Sequence, residues 1–161
     1  MKIIYVHHGN REKTPDNKLC DKLSSIGKKD ATLFAKLLTK IPTKNSIKAI
    51  YSAPSNRCQL TANIINKYIK VPIILDSRLD EFGTVKDETY SDMLKRTAGV
   101  IDDITNKFED TDSVICVSSG INVSAFICRS FNLAINENIP KIGIPSLSPL
   151  IFEIKKGKTK K

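Results

Sequence analysis

The chain has 161 residues with 26 Lys and Arg against 17 Asp and Glu, a formal net charge of +9. That length suits one domain with a sizeable core, and 40% hydrophobic with 27% charged residues is ordinary globular composition. No apolar stretch approaches the roughly 20 residues a bilayer requires, and the N-terminal apolar run is too short for a secretory leader, so the cytoplasm is the expected location. Five of the positive charges sit in the closing KKGKTKK, which reads as a solubilising tail over 155–161 behind a single domain over 1–154. Aromatic residues are only 6%, and no basic-aromatic stretch resembles a nucleic-acid module, so no specific nucleic-acid or membrane partner is expected. Cys20, Cys58, Cys116 and Cys128 form no C-x-x-C pair, and with two histidines in all there is no zinc-finger spacing. Cys116 and Cys128, in apolar surroundings, read as core thiols rather than as a disulfide framework.

In chain order, KIIYVH predicts a buried strand over 2–7, and a polar loop follows. Ala31, Phe34, Ala35, Leu37 and Leu38 recur at helical spacing within a predicted helix over 24–41. A strand over 47–53 precedes a helix over 56–69 that carries Leu60, Ile64, Ile65 and Tyr68 on one face. A short strand over 71–76 and a long helix over 88–108 come next. A strand over 113–119, a helix over 121–133 and a last strand over 148–156 complete the chain. This alternation predicts an α/β protein: a three-layer α/β/α sandwich around a mostly parallel sheet. Apolar runs such as IIYV and VICV agree, because parallel strands are buried on both faces.

Ligands of such sheets bind beyond the carboxyl ends of the strands. That rule selects His7-His8-Gly9, Ser52-Ala53-Pro54 and Ser118-Ser119-Gly120.

These clusters resemble the motifs of the histidine phosphatase superfamily, which includes the cofactor-dependent phosphoglycerate mutases. The family's Arg-His-Gly is matched by His7-His8-Gly9, and its S-x-P-x-x-R-x-x-x-T-A by Ser52, Pro54, Arg57, Thr61 and Ala62. Its L-T-x-x-G corresponds to Leu23–Gly27, its L-x-E to Leu79-Asp80-Glu81, its G-E-S helix start to the region of Glu88, and its V-x-H-G-G to VSSGI over 117–121. The resemblance spans nearly the whole chain in the right order.

It implies a phosphoglycerate mutase-like fold and a phosphoric monoester hydrolase acting through a phosphohistidine. His8 would be the phosphoryl acceptor and Glu81 the general acid and base, with Asp80 or Glu88 as alternatives. His7, Gly9, Arg57 and Ser119 would contact phosphate. No metal and no cofactor are implied. The partner would be a phosphorylated small molecule or a phosphoprotein. Two positions depart from the pattern: the motif arginine is His7, and the second histidine is Ser119. Each change removes a donor aimed at the phosphoryl group, and losing one such donor costs about 10²–10³ in rate. Arg11 could restore positive charge by swinging toward His8. The alternative is a catalytically silent relative that binds a phosphorylated ligand or a protein partner. DEFGTV (80–85) also resembles the D-x-D-G-T motif of haloacid dehalogenase-type phosphatases, but Phe82 replaces its second aspartate.

Overall fold

The computed structural model describes residues 1–41, 46–131, 133 and 143–154. The basic tail at 155–161 lies outside the described residues, and so do 132 and the last residues of the final predicted strand.

A five-stranded sheet forms the centre, in the order β5-β4-β6-β1-β7. Its strands are β1 (Lys2–His7), β4 (Ile47–Ser52), β5 (Ile73–Leu75), β6 (Ser113–Ser118) and β7 (Pro149–Glu153). All neighbours pair in parallel except β7, which runs antiparallel along β1. The sheet is mainly parallel and flanked by helices, as expected. Every residue of β6 is buried, and so are Ile3, Ile4, Tyr5 and Val6 of β1. Strands covered on both faces need such unbroken apolar runs.

Helices α1 (Ser25–Leu38) and α2 (Asn56–Ile69) pack on one another, as do α3 (Tyr90–Lys107) and α4 (Gly120–Ser130). α1 starts where the Ser24 hydroxyl accepts the Gly27 N–H at 3.0 Å. α3 starts with a reciprocal capping box between Thr89 and Asp92, two residues later than the periodicity predicts. The Ser55 side chain gives α2 no cap; a residue from elsewhere in the chain does so.

The predicted polar loop after β1 is in fact a hairpin of β2 (Arg11–Lys13) and β3 (Leu19–Leu23), a separate two-stranded sheet. Its sequence hides it, because REK and LCDKL show no apolar alternation and most of these residues are exposed. The hairpin is anchored where its first residues meet the start of α1. A Cβ on Gly27 would come 2.2 Å from the Asn10 carbonyl oxygen, so only glycine admits this approach. Cys58, Cys116 and Cys128 are buried and all four thiols are free. No helix among the described residues is long and apolar enough to cross a membrane.

Candidate active site

Because β4, β6 and β1 are neighbours, their carboxyl ends lie side by side. The chain leaves β1 with the His8 N–H donating to Ser118 O at 3.0 Å, and leaves β4 with Ala53 N–H donating to Val117 O at 3.0 Å. The three clusters selected from the sequence are thereby gathered at one rim of the sheet.

His8 is 4% exposed, yet it lines a cleft of about 1020 Å³ that opens between the β2–β3 hairpin and the start of α4. Its Nδ1 lies 2.8 Å from Gly9 O. A carbonyl oxygen only accepts, so Nδ1 carries the hydrogen and the neutral ring keeps its lone pair at Nε2. Burial, offset in part by the Gly9 carbonyl and reinforced by the nearby His7, Arg57 and Arg11, drives the His8 pKa down to about 3. The ring is therefore neutral near pH 7.

Arg57, in the first turn of α2, donates from Nε to His8 Nε2 at 3.0 Å, from Nη1 to Asp21 at 2.7 Å and from Nη2 to Glu81 at 2.6 Å. Burial works against its charge, but Asp21 and Glu81 outweigh it and raise the guanidinium pKa. His8, Arg57 and Glu81 thus form one connected group.

Asp21 was not legible from sequence as part of this group. It projects from β3, and its carboxylate accepts from the backbone N–H of Asn56 at 2.9 Å and of Arg57 at 3.3 Å. It therefore caps α2 from outside the helix while holding Arg57. Burial disfavours its charge, but the bonds from Arg57 and the α2 backbone prevail and hold its carboxyl below the usual range.

Glu81 follows a 3₁₀ turn at Ser77–Leu79 and lines the cleft. Its segment is held from both sides. Asn122 Nδ2 donates to Leu79 O at 3.0 Å and to Asp80 O at 2.9 Å, and Ser118 Oγ donates to Leu79 O at 2.5 Å. Arg96 of α3 donates to the carbonyls of Arg78, Asp80 and Glu81. Glu88 supports Arg96: its side chain is 2% exposed, and its Oε1 accepts from Arg96 Nε at 2.5 Å. The Glu88 carboxylate is thus committed to Arg96 and the Gly83 N–H, and Arg96 keeps its pKa low. Asp80 stands after the 3₁₀ turn instead of at a strand end, contrary to the geometry a dehalogenase-type nucleophile requires.

Gly9 donates its N–H to Thr61 Oγ1 at 3.1 Å, and a Cβ there would come 2.9 Å from Gly27 O. Its lack of a side chain makes room for α1, and its N–H is already engaged. Ser119 is 2% exposed; its hydroxyl faces Asn122, with Oγ to Oδ1 at 3.4 Å, and it is not among the residues lining the cleft. Arg11 lines the cleft, but its Nε donates to Cys20 O at 2.7 Å and its Nη2 to Leu19 O at 3.1 Å. It is tied to its own hairpin and makes no bond to His8.

His7 also lines the cleft, with its ring 4.4 Å from that of His8 and inclined by 71°. Its Nδ1 lies 2.8 Å from Ile144 O, and burial lowers its pKa against the pull of that carbonyl. A Cβ on Gly120 would sit 3.0 Å from His7 Cε1, so the glycine opening α4 makes room for this ring. No group of three or more metal-ligating side chains occurs among the described residues.

Residues 3–89, just over half of the chain, match the family model described as the histidine phosphatase superfamily, branch 1. No curated protein sequence matches the chain. Among solved structures, Bacillus stearothermophilus YhfR superposes with a TM-score of 0.76 at 18% identity, covering 97% of this chain and 92% of that one. A mutant phosphoserine phosphatase from Entamoeba histolytica in complex with phosphoserine gives a TM-score of 0.75 at 17% identity, over 97% of this chain and 92% of the other. A mycobacterial glucosyl-3-phosphoglycerate phosphatase in complex with VO3 gives 0.71 at 16%, over 93% and 90%.

Proposed function

The chain belongs to the histidine phosphatase superfamily, and from that premise we propose that it is a phosphomonoesterase with His8 as phosphoryl acceptor. The observation that carries this reading is the connected His8–Arg57–Glu81 group, in which Gly9 fixes the His8 tautomer that leaves Nε2 as the nucleophile.

In this reading Arg57 Nε–H moves from His8 Nε2 to a phosphoryl oxygen as substrate enters. The freed Nε2 lone pair forms a bond to phosphorus, the ester P–O bond breaks, and Glu81 relays to the leaving oxygen a proton that the ester monoanion carries in. Water then attacks the phosphohistidine, giving its proton to Glu81, and the P–N bond breaks to release phosphate. The phosphoserine and vanadate bound by the structural neighbours support a phosphomonoester as ligand, either small or on a protein. The four free thiols suit the reducing cytoplasm.

A second reading, a silent binder of phosphorylated ligands, is favoured by one observation. Neither substituted position restores a cationic donor: burial keeps His7 neutral, and Ser119 faces Asn122. Hydrolysis of an aryl phosphate by wild type and by His8→Ala separates the two. Turnover lost in the variant, with an acid-labile phosphohistidine trapped in wild type, supports the enzyme. Absence of turnover with retained vanadate binding would establish the binder, and absence of both would remove the phosphoryl site altogether.

A further inference from the structure

We propose that the cleft takes a phosphoryl group as its monoanion, with one proton held between His7 Nε2 and a phosphoryl oxygen. This rests on the phosphoryl-site reading above and assigns the protonation state of its ligand.

The argument starts from the carbonyl of Ile144, 2.8 Å from His7 Nδ1. A carbonyl accepts only, so the hydrogen of the neutral ring is on Nδ1 and the lone pair is on Nε2. Nδ1 makes the ring's one hydrogen bond of ordinary geometry among the described residues, with the Pro145 carbonyl as a second, weaker neighbour, and the ring lines the cleft. The ring is held in place: Leu147 N–H donates to His7 O at 2.9 Å, and Gly120 abuts its face. With 4.4 Å between the two imidazoles, a phosphoryl group at His8 lies within reach of His7.

A phosphoryl dianion offers only acceptors. Set against the Nε2 lone pair it meets repulsion, where an arginine would have given it donors at every pH. One proton resolves the conflict, placed on His7 or on the phosphoryl oxygen. Either source gives the same complex with the same proton count. The two competing groups are well matched, since a phosphomonoester takes its second proton near pH ~6 and a free imidazole near ~6.5.

The charged and titratable groups around His7 set the balance. Arg57 from α2 opposes a proton there, whereas Glu81 beyond the 3₁₀ turn and the carbonyls of Ile144 and Pro145 favour it. His8 faces it from the end of β1, and Arg11 from β2 lines the same cleft. α4 presents the uncharged Gly120. Burial leaves the empty ring neutral, and an arriving anion supplies the opposite charge that draws a proton in.

The test is calorimetric titration of the full chain with phenylphosphonate, whose dianion, unlike that of inorganic phosphate, carries no O–H, at pH 6 to 9 in buffers of differing ionisation enthalpy. The expected result is uptake of about one proton per phosphonate above its own second ionisation, with affinity falling about tenfold per pH unit there. His7→Arg should abolish the uptake. Nitrogen NMR gives a second measurement, since the chain has only two histidines. The His7 Nε2 signal should move off its unbonded position when the phosphonate is added, whichever partner holds the proton. Binding without proton uptake overturns this inference alone. Uptake that persists in His7→Arg overturns it too, because the proton then sits elsewhere. Failure of the phosphonate to bind at any pH overturns the phosphoryl-site reading as well.

Discussion

Acid should destabilise this protein already between pH 7 and pH 5, and His8 is the reason. Its folded-state pKa is about 3, against 6.5 for the model imidazole, with burial as the main cause. A group whose pKa is depressed on folding contributes stability above its unfolded pKa. That stability is lost as pH falls toward the folded value, because the unfolded chain binds the proton first. Between pH 7 and pH 5 the unfolded histidine goes from about one-quarter to almost fully protonated while the folded one takes up almost no proton. At about 1.4 kcal/mol per pH unit for a full proton, integration over this window gives a loss of about 2 kcal/mol. His7, also lowered by burial, adds a loss of the same sign. The carboxylates Asp21, Asp76 and Glu88 are held below their usual range and titrate outside this window. The assay is urea unfolding of wild type and His8→Gln at pH 7 and pH 5. With an m-value of about 2 kcal/mol/M, the wild-type midpoint should fall by about 1 M from His8 alone. The variant should fall by markedly less. An equal fall in both would refute the assignment of the buried neutral imidazole.

Substitutions at Arg96, Gly27 and Asp21 probe what supports the site. Arg96→Ala leaves the nearly buried Glu88 carboxylate unpaired and frees the carbonyls of the Glu81 segment, so it should cost about 3–5 kcal/mol in urea unfolding and weaken vanadate binding. Gly27→Ala forces a Cβ to within 2.2 Å of backbone oxygen and should cost about 3 kcal/mol, whereas Gly143→Ala, with nothing within 4 Å, should fall within about 0.5 kcal/mol of wild type. Asp21→Ala removes the external cap of α2 and one of Arg57's partners. Because the Asp21 side chain is 49% exposed, the expected cost is only about 1 kcal/mol by urea unfolding, most of it recovered in Asp21→Asn.

The parts of this molecule legible in sequence were those in which local pattern and environment coincide. IIYV and VICV are apolar throughout because both sheet faces are covered, so the central strands announced themselves. His8 could be picked out because it stands at a strand end, whereas Arg57 and Glu81 were reached only through the motifs they resemble, S-x-P-x-x-R and L-x-E. The hairpin could not, since its charged residues carry no periodicity and its position depends on the Asn10–Gly27 contact. Asp21 was hidden with it: a carboxylate in a polar stretch looks like any other until the fold carries it 36 positions along the chain to Arg57. The Ile144 carbonyl, which fixes the His7 tautomer across 137 positions, leaves no local trace at all. Ser119 is the opposite case. Motif order put it opposite His8, yet its short side chain turns to Asn122, whose own amide holds the Glu81 segment.

The resting arrangement of Arg57 constrains how a ligand engages this cleft. A guanidinium has five N–H donors in a fixed plane, and three of them are already committed, to His8, Asp21 and Glu81. The lone pair that the proposed chemistry needs on His8 Nε2 is the same one that accepts Arg57 Nε–H at 3.0 Å. His8 Nε2 and Arg57 Nε–H therefore occupy one another until a stronger acceptor arrives. An anionic phosphoryl oxygen is such an acceptor, because it adds ion–ion attraction to the guanidinium that the neutral imidazole does not supply. Asp21 holds Nη1 and the α2 backbone independently of His8, which gives the guanidinium an anchor that the exchange need not break. A neutral ligand offers no comparable acceptor and leaves His8 capped. On the proposed reading, the charge of a phosphoryl group selects the ligand and uncovers His8 Nε2 in a single exchange of one hydrogen bond.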